Sequence, residues 1–182
     1  MHDGFSKEQK TKIEKFIDLA VEFNKTHNIF SRNKERDIYI KDILDCAPLT
    51  RHIKTNQTVL DLGSGGGFPG ILLAITRPNN KVCLVESSKK KCYFLKKTKE
   101  DLCLTNIKII NKTINKKNTF GVFDVITARA FANTKKILDI TKQNTHPKTK
   151  YLLLKGKKTT INKELKDIDN KRYKCEIIKQ DS

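Results

Sequence analysis

A chain of 182 residues is long enough for one domain with a single core and too short for two ordinary ones. Its hydrophobic share of 37% and charged share of 32% fall in compact, periodic runs, so it reads as folded, and no run approaches the roughly 20 apolar residues that cross a membrane. The formal charge of +18 points to a polyanionic partner, although an excess of Lys, Asn and Ile is also what an AT-rich genome writes onto solvated faces.

The N-terminal "MHDGFSKEQK" lacks the apolar centre of a signal peptide, so the chain is expected in the cytoplasm. Ser6 followed by Gln9 has the form of a capping box, and Ile13, Phe16, Ile17, Ala20 and Phe23 recur at helical spacing, which predicts a helix over 7–25. A second helix is predicted over 34–46, with Ile40, Ile43, Leu44 and Ala47 on one side and Pro48 as its stop. Beyond the polar "LTRHIKTNQ" the texture changes to alternating strands and helices. Strands are predicted at 58–62, 81–86, 107–110, 122–128, 150–156 and 174–180. Helices are predicted from Pro69 to Arg77, across 87–104 and over 133–143, and the polar segment before the last strand reads as partly helical. Repeated βα units with short apolar strands argue for an α/β fold, an open and mostly parallel sheet covered on both faces. The whole of 1–182 is expected to be one domain, with 1–50 as N-terminal helices and 58–182 as the α/β core. The five cysteines form no CxxC pair and are expected as reduced thiols, and the four histidines are too scattered for a metal site.

The most informative stretch is "VLDLGSGGGFPG", residues 59–70, where a β-type run enters five glycines. In a doubly wound sheet, ligands bind at the carboxyl ends of the strands, where strand order reverses. Gly65, Gly67 and Gly70 spell the dinucleotide fingerprint, while Gly63, Gly65 and Gly67 spell the G-x-G-x-G of S-adenosylmethionine enzymes. Asp61 favours the second. A carboxylate there would repel a pyrophosphate and would hold the ammonium of S-adenosylmethionine. Glu86, at the end of the second strand, can accept from ribose hydroxyls under either reading. No Asn/Asp-Pro-Pro-aromatic motif follows the fourth strand, and no cysteine lies near the fourth or fifth strand loops. Acceptors with a free lone pair remain, such as a ring nitrogen, or small molecules.

Four runs, "LDLGSGGGFPGILLAI", "LVESSKKKCYFLKK", "FDVITARAFA" and "LLKG", occur in an order and spacing that resemble the bacterial small-subunit (16S) ribosomal RNA guanine-N7 methyltransferases, also called glucose-inhibited division protein B. "EFNKTHNI" and "DIYIKDILDCA" look like the N-terminal helices of that family. The resemblance implies a class I S-adenosylmethionine-dependent methyltransferase fold with an N-terminal helical cap. It implies S-adenosylmethionine as cofactor, 16S rRNA or a small-subunit particle as partner, and a monomer acting on N7 of one guanine. Gly63 and Phe68 would contact the cofactor, beside Asp61, Gly65 and Glu86. Ile114 and Asn115 would lie along the adenine. Arg129, in "ARAFA", would close the site and orient the reacting groups, and Lys155, in "LLKG", would be a basic group on the rim where RNA docks. No general base is expected, because N7 carries its lone pair at neutral pH and alignment can supply much of the catalysis. The chain departs from the family at Asn115, where an acidic residue is usual, at Phe30, and around Asp42 and Asp45, which read as helix-face carboxylates. Little chain remains for the last antiparallel strand of the fold. A catalytically degenerate ribosome-binding protein and a methyltransferase for small molecules stand as alternatives.

Overall fold

In the computed structural model, which describes residues 4–169 and 172–177, the chain opens on the predicted capping box. Ser6 Oγ accepts from the Gln9 N–H and the Gln9 side chain accepts from the Ser6 N–H. Helix α1 (Lys7–His27) follows and closes at Asn28, whose left-handed backbone (φ 46°) ends the turn. Its buried face is Ile13, Phe16, Ile17, Ala20 and Phe23, as the spacing predicts.

The second helix differs from expectation. It runs as α2 (Glu35–Ile38), a π-helical turn (Tyr39–Ile43) and α3 (Leu44–Arg51), and Pro48 lies inside α3 rather than ending it. Proline removes only the one hydrogen bond that its N–H would have given to Leu44, and the helix continues past it. The wide π-turn carries Asp42 inward, where the side chain is buried.

Five parallel strands follow: β1 (Thr58–Leu62), β2 (Lys81–Glu86), β3 (Ile107–Asn111), β4 (Phe123–Arg129) and β5 (Thr145–Leu154), in the order β3-β2-β1-β4-β5. They alternate with α4 (Gly70–Thr76), α5 (Lys89–Asp101) and α6 (Thr134–Ile140), and α7 (Lys158–Lys166) follows β5. The order reverses between β1 and β4, so the loops after these two strands border the crevice where such sheets bind ligands. Side chains alternate across the sheet. Val59, Val82, Leu84 and Val125 belong to the core shared with α1, α4 and α5, whereas Leu60, Leu62, Val85, Ile126 and Ala128 pack with Ile137 and Ile140 of α6. The N-terminal helices belong to the first of these layers. Phe16 meets Phe68 and Phe23 meets Phe94, each with ring centroids 5.0 Å apart.

β5 starts earlier than predicted. Thr145 pairs with Phe123, a bulge intervenes, and regular pairing resumes at Lys150 opposite Val125. The predicted strand at 174–180 is not seen over residues 174–177, and residues 178–180 lie outside the described residues. Among the described residues β5 is therefore an edge, and the antiparallel strand is absent. Cys46, Cys83 and Cys92 are buried free thiols, and Cys103 and Cys175 are exposed ones. No helix among the described residues is long and apolar enough to cross a membrane.

Candidate functional site

The glycine loop after β1 is laced to β2. The N–H groups of Gly63 and Ser64 both donate to the Val85 carbonyl, at 2.9 and 3.2 Å. Gly65 donates to Glu86 Oε2 at 2.8 Å. Two of the glycines are crowded by aromatic rings from elsewhere in the chain. Gly63 has a left-handed backbone (φ 62°), and a Cβ there would collide with the ring of Phe131. A Cβ at Gly66 would collide with the ring of Phe30. Phe30 thus makes an N-terminal roof over the loop, and Phe131, two residues past β4, makes a side wall. Gly65 is different: a Cβ there would meet only the Gly63 carbonyl, at 3.7 Å. This part of the loop faces open space.

Glu86 holds the loop from below. Besides Gly65, its carboxylate accepts from the Ser88 N–H at 2.8 Å and the Ser87 hydroxyl at 3.4 Å. A carboxylate has about four acceptor sites. Roughly one is left for a ribose hydroxyl, so taking two would require Glu86 to release a present partner.

Asp61 is not where the sequence reading puts it. Its carboxylate is fully buried beneath the loop, so it offers no face to a ligand ammonium. Strand alternation turns it to the α4 side, opposite Thr127 of β4, whose hydroxyl donates to Oδ1 at 3.0 Å. Oδ2 faces the start of α4, 2.6 Å from where a Gly70 Cβ would stand, and has no hydrogen-bond partner. Burial pushes the carboxyl from 3.8 up to about 6. The folded state binds this proton more tightly than the unfolded chain. Its contribution to stability is therefore greatest below pH 3.8 and is lost as pH rises through about 6. Asp61→Asn should remove the penalty at neutral pH. We expect a gain of at most about 2–3 kcal/mol at pH 7.5, falling to about 1 kcal/mol at pH 4.5 and to almost none below about pH 3, read as the difference in melting temperature between variant and wild type. A loss at pH 7.5 would mean that the carboxylate charge stabilises the first turn of α4.

Arg129 ends β4 and is clamped to the N-terminal helices. Nη2 donates to Asp42 Oδ1 at 2.6 Å, Nη1 to the Lys41 carbonyl at 3.3 Å, and Asp45 lies 3.6 Å away. The guanidinium also sits 5.3 Å from the Phe68 ring centroid. Asp42 is shared, since Arg32 reaches both of its oxygens at 3.0 and 3.2 Å. Arg129, Phe68 and the glycine loop are thus brought together as expected, but through two residues that sequence reasoning set aside or missed, Asp42 and Arg32. Ala130 follows in a left-handed conformation (φ 50°), which redirects the chain so that Phe131 crosses Gly63.

Lys155 is not on an open rim. It donates to the Ala132 carbonyl at 2.7 Å and pairs with Glu164 of α7 at 2.9 Å, with its side chain mostly buried. It lines a cavity of about 430 Å³ at the ends of β4 and β5, with Arg129, Phe131, Leu154 and Glu164. Ile114 is buried in the second core cluster. Asn115 is exposed, and its Oδ1 accepts from the Lys117 N–H at 2.9 Å, so the amide closes its own turn.

A family model described as rRNA small subunit methyltransferase G (GidB) matches residues 9–180. The chain belongs to this family. The small-subunit rRNA methyltransferase G of Brachyspira hyodysenteriae is 35% identical over 176 residues, covering 96% of this chain and 85% of the relative. That of Rickettsia bellii is 37% identical over 168 residues, covering 91% and 84%. Solved structures agree on the fold. A ribosomal protein L11 methylase from Lactobacillus delbrueckii subsp. bulgaricus superposes with a TM-score of 0.56 at 15% identity, over 69% of this chain and 66% of that one. A methyltransferase from Thiobacillus denitrificans, solved with S-adenosyl-L-homocysteine, gives 0.52 at 17% identity, over 75% and 53%. This is the class I methyltransferase sheet, and the methyltransferase G member adds its N-terminal helices to one face. The loop fits the cofactor of that class, with open backbone at Gly65, an acceptor at Glu86 and an aromatic side wall at Phe131, whereas Phe68, expected to contact the cofactor, is buried in the core beside Phe16.

Proposed function

We propose that this protein methylates N7 of one guanine in small-subunit (16S) rRNA, with S-adenosylmethionine as donor. The observation that carries the reading is the family match over 9–180, on a chain whose glycine loop, Glu86 and Arg129 border one crevice. When bound, the cofactor supplies a methyl group already activated by its sulfonium. The chain has no proton to remove, because N7 offers an in-plane lone pair. What its residues do is hold and align: Gly63, Gly65 and Glu86 form the donor side, Phe68 supports the loop from the core, and Arg129 fixes the end of β4 against the cap. Ile114 and Asn115 fit the adenine end through backbone groups. Exposed lysines support an RNA partner. Lys89, Lys112, Lys116, Lys135, Lys157 and Lys158 all follow the carboxyl ends of strands, on the side of the crevice. We place the protein in the cytoplasm, acting as a monomer on rRNA or an assembling particle.

The test is mass mapping of small-subunit rRNA from cells with and without the gene. A single N7-methylguanosine should vanish with the gene, and unchanged RNA would overturn the reading. Binding should also be steeply salt-dependent. With about five phosphates met, log K should fall with log salt at a slope of roughly −3.5 to −4.5. A flat profile would favour a small-molecule substrate.

A further inference from the structure

The cavity at the ends of β4 and β5 contains a carboxylate that alignment of donor and acceptor does not use. Glu164 Oε2 accepts three hydrogen bonds, from the Thr134 N–H at 2.9 Å, the Thr134 hydroxyl at 2.6 Å and Lys155 at 2.9 Å. Oε1 has no hydrogen-bond partner among the described residues. Burial opposes the charge, but Thr134 and Lys155 outweigh it and hold the carboxyl below its ordinary value. Glu164 is therefore an ionised acceptor, pinned through one oxygen and open at the other. The cavity, about 430 Å³, falls in the range of small-ligand sites. It also adjoins the glycine loop, because the ring of Phe131 lines it and crosses Gly63.

We propose that this cavity seats the target base, turned out of the RNA, and that Glu164 Oε1 accepts from N1–H and the 2-amino group of guanine. The proposal rests on the methyl-transfer reading above. A carboxylate is acceptor-only, so it selects an edge with donors. Guanine alone among the RNA bases presents two adjacent donors on its Watson–Crick edge; adenine presents an acceptor at N1. Enzymes that extrude a base commonly read that edge and stack the base on an apolar side chain, a part Phe131 can take. Gripping guanine there leaves N7, on the opposite edge, free to face the methyl donor. Glu164 would then determine which base is methylated while taking no part in bond making.

The test starts from the nucleotide located by mass mapping. Synthetic RNA covering it is made with guanosine or with inosine at that position; inosine lacks only the 2-amino group and keeps N7. The wild-type protein should methylate the inosine RNA about ten- to a hundredfold less efficiently in kcat/KM, the effect of losing one hydrogen bond to a charged group. Glu164→Gln should bring that ratio close to one, with S-adenosylmethionine binding unchanged. Equal wild-type rates on the two RNAs would overturn the proposal, whether or not the variant folds. A ratio that survives in Glu164→Gln would overturn it as well. Failure of mass mapping to find any gene-dependent N7-methylguanosine would instead remove the methyl-transfer reading, and this proposal with it.

Discussion

Replacing Asp42 by alanine should lower the melting temperature by about 6–12 °C. The carboxylate is buried and receives N–H groups from two arginines, Arg32 at 3.0 and 3.2 Å and Arg129 at 2.6 Å. Breaking a buried ion pair costs about 3–5 kcal/mol, because the remaining charges keep their desolvation penalty without a partner. The arginine side chains stay 33% and 22% exposed, which puts the expected cost near the lower end, about 3 kcal/mol. For a chain of this size, each kcal/mol shifts the midpoint by about 2–4 °C. Asp45→Ala is the control. Asp45 is 3.6 Å from Arg129 and 39% exposed, so its loss should cost less than about 1 kcal/mol. Equal, small effects at both positions would reduce the clamp to an ordinary surface pair.

Arg129→Lys should slow methyl transfer in single-turnover assays by about a hundredfold, with rRNA affinity little changed. The guanidinium makes separate contacts with Asp42 and the Lys41 carbonyl and lies by the Phe68 ring. A lysine ammonium can keep the first but has no planar fork for the others. The end of β4 would lose its tie to the cap, and Ala130 and Phe131 follow directly from it. A shift of about 1 Å at a reacting centre costs on the order of a hundredfold in rate. Many lysines share the attraction for phosphate, so binding should persist. Wild-type turnover would show that the positive charge alone suffices. An unfolded variant would leave Arg129 a purely structural role.

The elements nearest the crevice were legible because their signals are local. Ser6 and Gln9 announce α1, and Thr58–Leu62 running into glycines announces β1 and its loop. The direction of Asp61 was also written in the chain: strand parity puts it on the face of Val59, towards α4, and fixes its burial. What could not be read depends on distant packing. A π-turn has no sequence signature, so Asp42 looked like a solvated helix face and Pro48 like a stop. Lys155 looked like a free rim charge until α7 brought Glu164 against it. Asn115 and Glu86 spend their acceptors on nearby backbone, a choice that residue type does not reveal.

The links that complete the crevice also impose an order on its making. Asp61 and Thr127 lie 66 residues apart in the chain, and Asp42 and Arg129 lie 87 apart. At about 5–20 residues per second, Asp61 is added to the chain roughly 3–13 s before Thr127. Until β4 is made, β1 can pair only with β2, its other edge stays unpaired, and Asp42 has no Arg129 to meet. A message cut short upstream of codon 129 would therefore yield no half-built enzyme, but a nascent chain with an unpaired strand edge, a substrate for chaperones and proteases.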